Sequence, residues 1–170
     1  MTSSKTSTKP CPGSRPVSGF VERGGVWVAV QVALLAAIVL IGRLDLASYS
    51  LTGSGTIAWV LIGIALVVGV AASLSLGRNL TPYPKPVEAG AMIERGPYRV
   101  VRHPIYTAVI VGMFGVAIRA EDWLSLLLAL TLIPFFFAKS SFEERHLIEH
   151  YPDYPAYRQR VPRRLVPGLL

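Results

Sequence analysis

The sequence predicts an all-α integral membrane protein with about four transmembrane helices, the last two forming a short helical hairpin. Three observations predict it. Only 16% of the 170 residues are charged, against about a quarter in an ordinary soluble domain. Apolar residues reach 52%, and they lie in long blocks rather than at the spacing of a buried core face. Basic residues collect beside alternate ends of those blocks. Wholesale disorder, collagen and a disulfide-stapled secreted fold are excluded. The single cysteine, Cys11, sits in a polar Pro/Gly/Ser tail and offers no framework.

The first block runs from Val26 to Ile41 and is closed by Gly42 and Arg43. The second, Ile57 to Leu76, is 20 residues without a charge, enough to cross roughly 30 Å of hydrocarbon. The third, Ile105 to Ile118, and the fourth, Trp123 to Ala138, are short. Fourteen helical residues reach only about 21 Å, so the polar start of the third must sit below the membrane surface. The linker Arg119-Ala120-Glu121-Asp122 makes the pair an antiparallel hairpin, and Pro134 is expected to kink the fourth helix. Residues 1–24 read as a disordered cytoplasmic tail and 25–76 as two N-terminal transmembrane helices. The tail is no cleavable signal, because a long polar stretch precedes the first apolar block and no small-x-small site follows it.

Fifteen of the 17 Lys and Arg residues lie on one side of the blocks; only Arg43 and Arg119 fall in the other two loops. The positive-inside rule makes the rich side cytoplasmic, with both termini inside, and the plasma (cytoplasmic) membrane is the expected location. The net charge of +7 is then a topology signal with attraction to anionic headgroups. No nucleic-acid partner is expected, since the basic residues flank membrane segments and no binding motif is visible. Membrane lipids are the expected surroundings; no feature specifies an oligomeric state.

Candidate chemistry lies in two cytoplasmic stretches. In the first, Pro104 suits the first position of a helix and its neighbour His103 avoids helical geometry, which makes His103 the N-cap position. Its ring and the free N–H groups of the next turn then meet where an anion can dock, or they form a pre-helix turn packed with Tyr98 and Tyr106. In the second, Glu143 and Glu144 sit on the extension of the fourth helix, about 100° apart, so that one can point inward while the other is solvated. A cationic ligand for one of them competes with pairing to Lys139 and nearby basic residues. His146-Leu-Ile-Glu-His150 fits H-x-x-E-H, two histidines on one helical face, but a third zinc ligand is not evident and no metal is expected. Glu143-x-x-His146 has no second copy of the kind a di-iron bundle needs. Trp27, Trp59 and Trp123 read as an interfacial belt, Gly112-x-x-Gly115 as a close helix contact. Tyr151, Tyr154 and Tyr157 read as lying along the membrane surface or roofing a pocket.

At Gly96-Pro-Tyr-Arg-x-Val-Arg-His-Pro-Ile-Tyr106, followed by Glu143-Glu-Arg-x-Leu147 and Tyr154-x-x-Tyr157-x-x-x-Val161-Pro-Arg, the chain resembles a known family. These are the membrane methyltransferases typified by isoprenylcysteine carboxyl methyltransferase, with phosphatidylethanolamine N-methyltransferase as a relative. Asn79-Leu-Thr-Pro82 looks like the family's lead-in, and the likeness covers roughly Gly77 to Pro167. Ala108 and Pro152 depart from it, each standing where glycine is common in the family. The first half of the chain carries no signature of the family, so no acceptor is carried over.

The resemblance implies that residues 77–170 form a methyltransferase-like catalytic region with a cytoplasmic C-terminal helical part that binds S-adenosyl-L-methionine. The acceptor is expected to be a lipophilic small molecule or lipidated substrate arriving from the bilayer. Tyr98, Arg102, His103 and Tyr106 are expected to hold the carboxylate or ribose end of the cofactor, and Glu143 or Glu144 its ammonium. Catalysis is then mainly in-line positioning with water excluded. A carboxylate acceptor needs only orientation, for which Arg158 or Arg164 is a candidate; an amine or hydroxyl acceptor needs a base, His103 or a glutamate such as Glu144. Two other readings stay open: a membrane reductase of related architecture using NADPH, and a non-catalytic membrane scaffold.

Overall fold

The computed structural model describes residues 24–81, 83 and 92–165. The tail read over 1–24 lies outside them apart from Gly24, as do Cys11, Pro82, Lys85 and Pro167. Five helices follow in order: α1 Gly25–Leu44, α2 Ser54–Leu76, α3 Pro104–Ala120, α4 Trp123–His150 and α5 Tyr154–Arg160. Short 3-10 turns at Gly77–Asn79 and Gly96–Arg99 flank the α2–α3 connection. Among the described residues there is no strand, only an isolated bridge between Ser48 and Asp122.

Three helices, α1, α2 and α4, are long and apolar enough to cross a membrane. The α4 helix outruns its apolar block, carrying Glu143 and Glu144 on the expected extension: it has 28 residues, about 42 Å, and passes through Pro134 without ending. Its apolar part stops at Ala138, and the polar turns from Lys139 to His150 extend beyond the spanning part. Of the four apolar helices among the described residues, α3 is the short one, at 17 residues. Large side chains on the outer faces of α1 and α2, such as Leu40, Leu66, Val67 and Leu74, are exposed where lipid replaces protein.

The α2–α3 pair packs most closely. A Cβ added at Gly115 would lie 2.9 Å from the Ala58 carbonyl oxygen and 2.8 Å from Ile62 Cγ1, so the glycine is what lets the backbones meet. Ala108, the departure from the family pattern, is buried with its Cβ facing Gly69, where an added methyl would lie 3.4 Å away. On the other side, Ile38, Ile110, Ala117, Ala129, Leu132 and Phe136 form the core between α1, α3 and α4.

The two short loops are tied together at one end of the bundle. Asp122 caps α4 by accepting from Ser125 N at 2.8 Å and also accepts from Ala47 N at 2.8 Å. Tyr49 N donates to the Glu121 carbonyl, Trp123 N to the Ala47 carbonyl and Ser54 Oγ to the Glu121 carboxylate. The hydrogen bond from Ser125 leads those that hold the Asp122 carboxyl below its ordinary range. Arg43 and Arg119 are at this end; the other described basic residues are at the opposite end, where α2 stops and α3 starts.

Gly115→Val is expected to drive α2 and α3 apart, costing about 1–3 kcal/mol and lowering the thermal unfolding midpoint in detergent. Gly63→Ala, where an added Cβ meets nothing within 4 Å, is the control that leaves the midpoint unchanged or raises it.

Candidate functional site

The site is built where α3 begins. Pro104 occupies the first helical turn and His103 the N-cap position, as the dipeptide predicts. The segment just before α3 is held by the C-terminal stretch, which runs alongside it. Arg102 N donates to the Arg163 carbonyl and His103 N to the Arg164 carbonyl, both at 3.0 Å. Thr107 Oγ1 donates to the Leu165 carbonyl. Tyr157 adds a bond from its hydroxyl to the Tyr98 carbonyl at 2.7 Å.

One carboxylate organises the polar side. Glu144, 3% exposed, accepts from Arg102 Nε at 2.7 Å and from Arg164 NH2 at 3.1 Å, and its Oε1 lies 3.2 Å from His103 Nε2. Arg158 Nε stands 3.8 Å away. Arg102 also donates through NH1 to the Val161 and Pro162 carbonyls. Burial by itself would raise the Glu144 carboxyl, but the hydrogen bonds from His103 and Arg102 and their charges outweigh it and hold it at about 2.

Glu143 has a different setting. Its carboxylate accepts from the Tyr106 hydroxyl at 2.6 Å and lies 3.7 Å from His103 Nδ1. The His103 ring therefore stands between the two glutamates, stacked on Tyr106 with 3° between the planes. The sequence expectation of one inward and one solvated acid becomes one buried acid in a basic cluster and one acid lining a cavity. Lys139 does not pair with Glu143; its ammonium donates to Gln31 Oε1 of α1 at 2.6 Å.

That cavity has a volume of about 470 Å³, within the roughly 300–1,000 Å³ of small-molecule sites. Tyr98, Arg102, His103, Tyr106 and Glu143, all expected cofactor contacts, line it. Glu144, Arg158 and Arg164 do not; they lie behind Arg102 and His103, with Arg164 also donating to Ser141 Oγ and stacking over Phe137. Tyr151, Tyr154 and Tyr157 line the cavity rather than lying along a surface, and Tyr154 and Tyr157 are buried. Burial pushes the Tyr98 and Tyr154 hydroxyls well up, and Tyr157 up to about 12, so all three are neutral hydrogen-bonding groups. The Tyr154 hydroxyl is buried with no partner among the described residues.

Sequence reasoning missed Gln31, although it is the one polar residue in an otherwise apolar block, a signal of function in a membrane segment. It also missed Met92 and Ile93, which line the cavity from the α2–α3 connection without any motif. Among the described residues no group of three or more His, Cys, Asp or Glu side chains is placed to hold a metal ion. His146 Nδ1 donates to the Phe142 carbonyl at 2.9 Å, and the His150 ring meets Tyr151 edge-on.

The depressed Glu144 carboxyl carries a pH prediction. Its contribution is complete above the ordinary carboxyl value of 4.5 and is lost as pH falls from there through about 2. The unmutated chain should lose thermal stability across that window. Glu144→Gln should lose about 3–5 kcal/mol at neutral pH, because Arg102 is left buried without its anion, and should flatten the acid limb. An acid limb unchanged by the substitution would show that Glu144 does not hold the cluster.

The chain is 26% identical over 164 residues to the cobalt-zinc-cadmium resistance protein CzcN of Cupriavidus metallidurans, covering 94% of this chain and 72% of that protein. It is 27% identical over 152 residues to the nickel-cobalt-cadmium resistance protein NccN of Alcaligenes xylosoxydans xylosoxydans, covering 86% and 67%. The family model for phospholipid methyltransferase matches residues 54–154, from the first residue of α2 to the first of α5. With apolar helices long enough to cross a bilayer and most of its length inside that match, the chain belongs to the phospholipid methyltransferase family of integral membrane methyltransferases.

Proposed function

We propose that the chain transfers a methyl group from S-adenosylmethionine to a lipophilic acceptor reaching the cavity from the bilayer. In this reading α3 is a fourth span, the cavity end and both termini are cytoplasmic, and the plasma membrane is the host. Residues 77–170 supply most of the catalytic region, with Gln31 and Leu76 completing the cavity wall.

The observation that carries the reading is a cavity whose wall holds a carboxylate, Glu143, and Tyr154, whose buried hydroxyl has no partner among the described residues. Such groups fit a ligand with an ammonium and several hydroxyl or ring-nitrogen atoms. S-adenosylmethionine, when bound, supplies a methyl group already activated on sulfur. Glu143 is the acid suited to the ammonium, since Glu144 is already surrounded by Arg102, His103 and Arg164. The start of α3 offers His103 and its N–H groups to the carboxylate or ribose, and Tyr98, Tyr154 and Tyr157 give aromatic faces and hydroxyls for the rest. Closing such a wall excludes water and fixes the approach of the acceptor, which is most of what methyl transfer needs.

Arg158 and Arg164, assigned to the acceptor on sequence alone, here fit a positioning role through Glu144. A carboxylate acceptor requires no base. For an amine or hydroxyl acceptor, His103, which lines the cavity against Glu143, is the group that takes the proton.

Calorimetry of the detergent-solubilised chain with S-adenosylhomocysteine and, separately, NADPH tests the proposal. S-adenosylhomocysteine should bind and NADPH should not. Glu143→Gln should weaken binding by about tenfold or more and Tyr154→Phe by several-fold, the scale of one charged and one neutral hydrogen bond. Incubation with labelled methyl donor and total lipid extract should then label a lipid-soluble product. Unchanged affinity in both variants contradicts the placement; binding of NADPH alone favours the reductase reading, and binding of neither favours a scaffold.

A further inference from the structure

Among the described residues, buried Arg102 has a carboxylate partner in Glu144, which also faces the half-buried Arg164 and the His103 ring. Lys139 is 2% exposed, lines the cavity, and forms no ion pair among the described residues. Its ammonium has a neutral partner, the Gln31 amide at 2.6 Å, and lies 5.1 Å from the centre of the Tyr106 ring. A buried ammonium that feels the Glu143 charge without pairing with it is costly, and a polar amide inside an apolar span adds to the cost. Retaining both at one point of the cavity wall calls for a ligand that repays them.

We propose that Lys139, steadied by Gln31, recognises an anionic headgroup on the acceptor, a carboxylate or a phosphate carried on an apolar chain. This rests on the methyltransferase reading and names the chemistry of its second substrate. The placement separates the two ligands by charge. Glu143, which suits the cationic donor, lies one helical turn farther from the apolar part of α4, about 6 Å along the axis. Lys139 is the first residue after that apolar part, at the depth of a lipid headgroup. On the α3 side of the cavity, Ile105 and Val109 line both it and a second hollow of about 390 Å³ between α2 and α3. That hollow is apolar, walled by Leu66, Val70 and Leu74, whose exposed faces belong to the lipid side. A chain lying there brings its headgroup toward Lys139, where the anion neutralises the ammonium.

The test is binding of four matched probes to the full chain in uncharged detergent: oleate, oleyl phosphate, oleyl alcohol and oleylamine, followed by tryptophan fluorescence. S-adenosylhomocysteine is titrated in parallel. Lys139→Met should weaken oleate or oleyl phosphate by about tenfold or more, the loss of one charge-assisted contact, and the anion that loses more identifies the headgroup. Oleyl alcohol and S-adenosylhomocysteine should change less than about twofold by the same reasoning. Lys139→Arg should retain most of the anion affinity, and Gln31→Leu should lose a smaller part of it. Lys139→Gln, which keeps a polar group, serves should the methionine variant not fold. Anion affinity unchanged in the Lys139 variants overturns the proposal, as does a loss confined to S-adenosylhomocysteine, which would put the donor's own carboxylate on this lysine. A chain that binds the oleyl anions through Lys139 but no S-adenosylhomocysteine would instead refute the methyltransferase reading alone.

Discussion

A carboxylate buried beside two arginines and a histidine sets the geometry of everything at the polar end of this bundle. Glu144 comes from α4, Arg102 and His103 from the approach to α3, and Arg164 from the C-terminal stretch. The C-terminal stretch buries Val161 and Leu165 in apolar clusters. It is also held by Glu144, by the Arg102 guanidinium on two of its carbonyls, and by two backbone bonds to residues 102 and 103. Buried ion clusters of this kind contribute little net stability compared with apolar packing, but removing one member is costly. Their effect is to allow one arrangement. Here that arrangement places the His103 ring, the Glu143 carboxylate and a set of tyrosines around one cavity.

The polar cluster and the apolar packing divide the work. Small residues bring α2 and α3 together, and the Asp122 cap with its hydrogen bond to Ala47 ties the two short loops. Together these fix the bundle from its far end, so α3, too short to match its neighbours, is held at a defined depth. The start of α3 is then set back from the end of α4, whose polar turns overhang it. The cavity occupies that offset. A site with apolar walls on one side and a carboxylate on the other is suited to joining an amphiphile to a charged nucleotide, and the family to which the chain belongs performs methyl transfer in membranes.

Much of this was legible in the sequence for plain physical reasons. Apolar block length located the helices, since hydrocarbon thickness sets a minimum run. Pro104 located the start of α3 because proline fixes what can precede it. The family motifs brought Tyr98, Arg102, His103, Tyr106 and Glu143 to one place before any coordinates. Other features depended on partners distant in the chain. An extension of α4 past Ala138 is expected from the sequence; what block length does not register is that its acids meet the start of α3. Glu144 is buried rather than solvated because its partners lie 42 and 20 residues away, at Arg102 and Arg164. Tyr154 and Tyr157 face inward because the Tyr98 carbonyl, reached only through the fold, receives one of them. Gln31 and Lys139 meet across 108 residues, so neither had a local signature of the other.

The methyl donor is proposed to occupy the cavity lined by the start of α3, by Glu143 of α4 and by Tyr151, Tyr154 and Tyr157. Hydrogen exchange read by mass spectrometry, with and without S-adenosylhomocysteine, tests it most directly. Protection should rise in peptides covering 98–107 and 151–165, and the loops around Ala47 and Asp122 should be unaffected. Protection confined to those far loops, or to the outer faces of α1 and α2, would contradict the account.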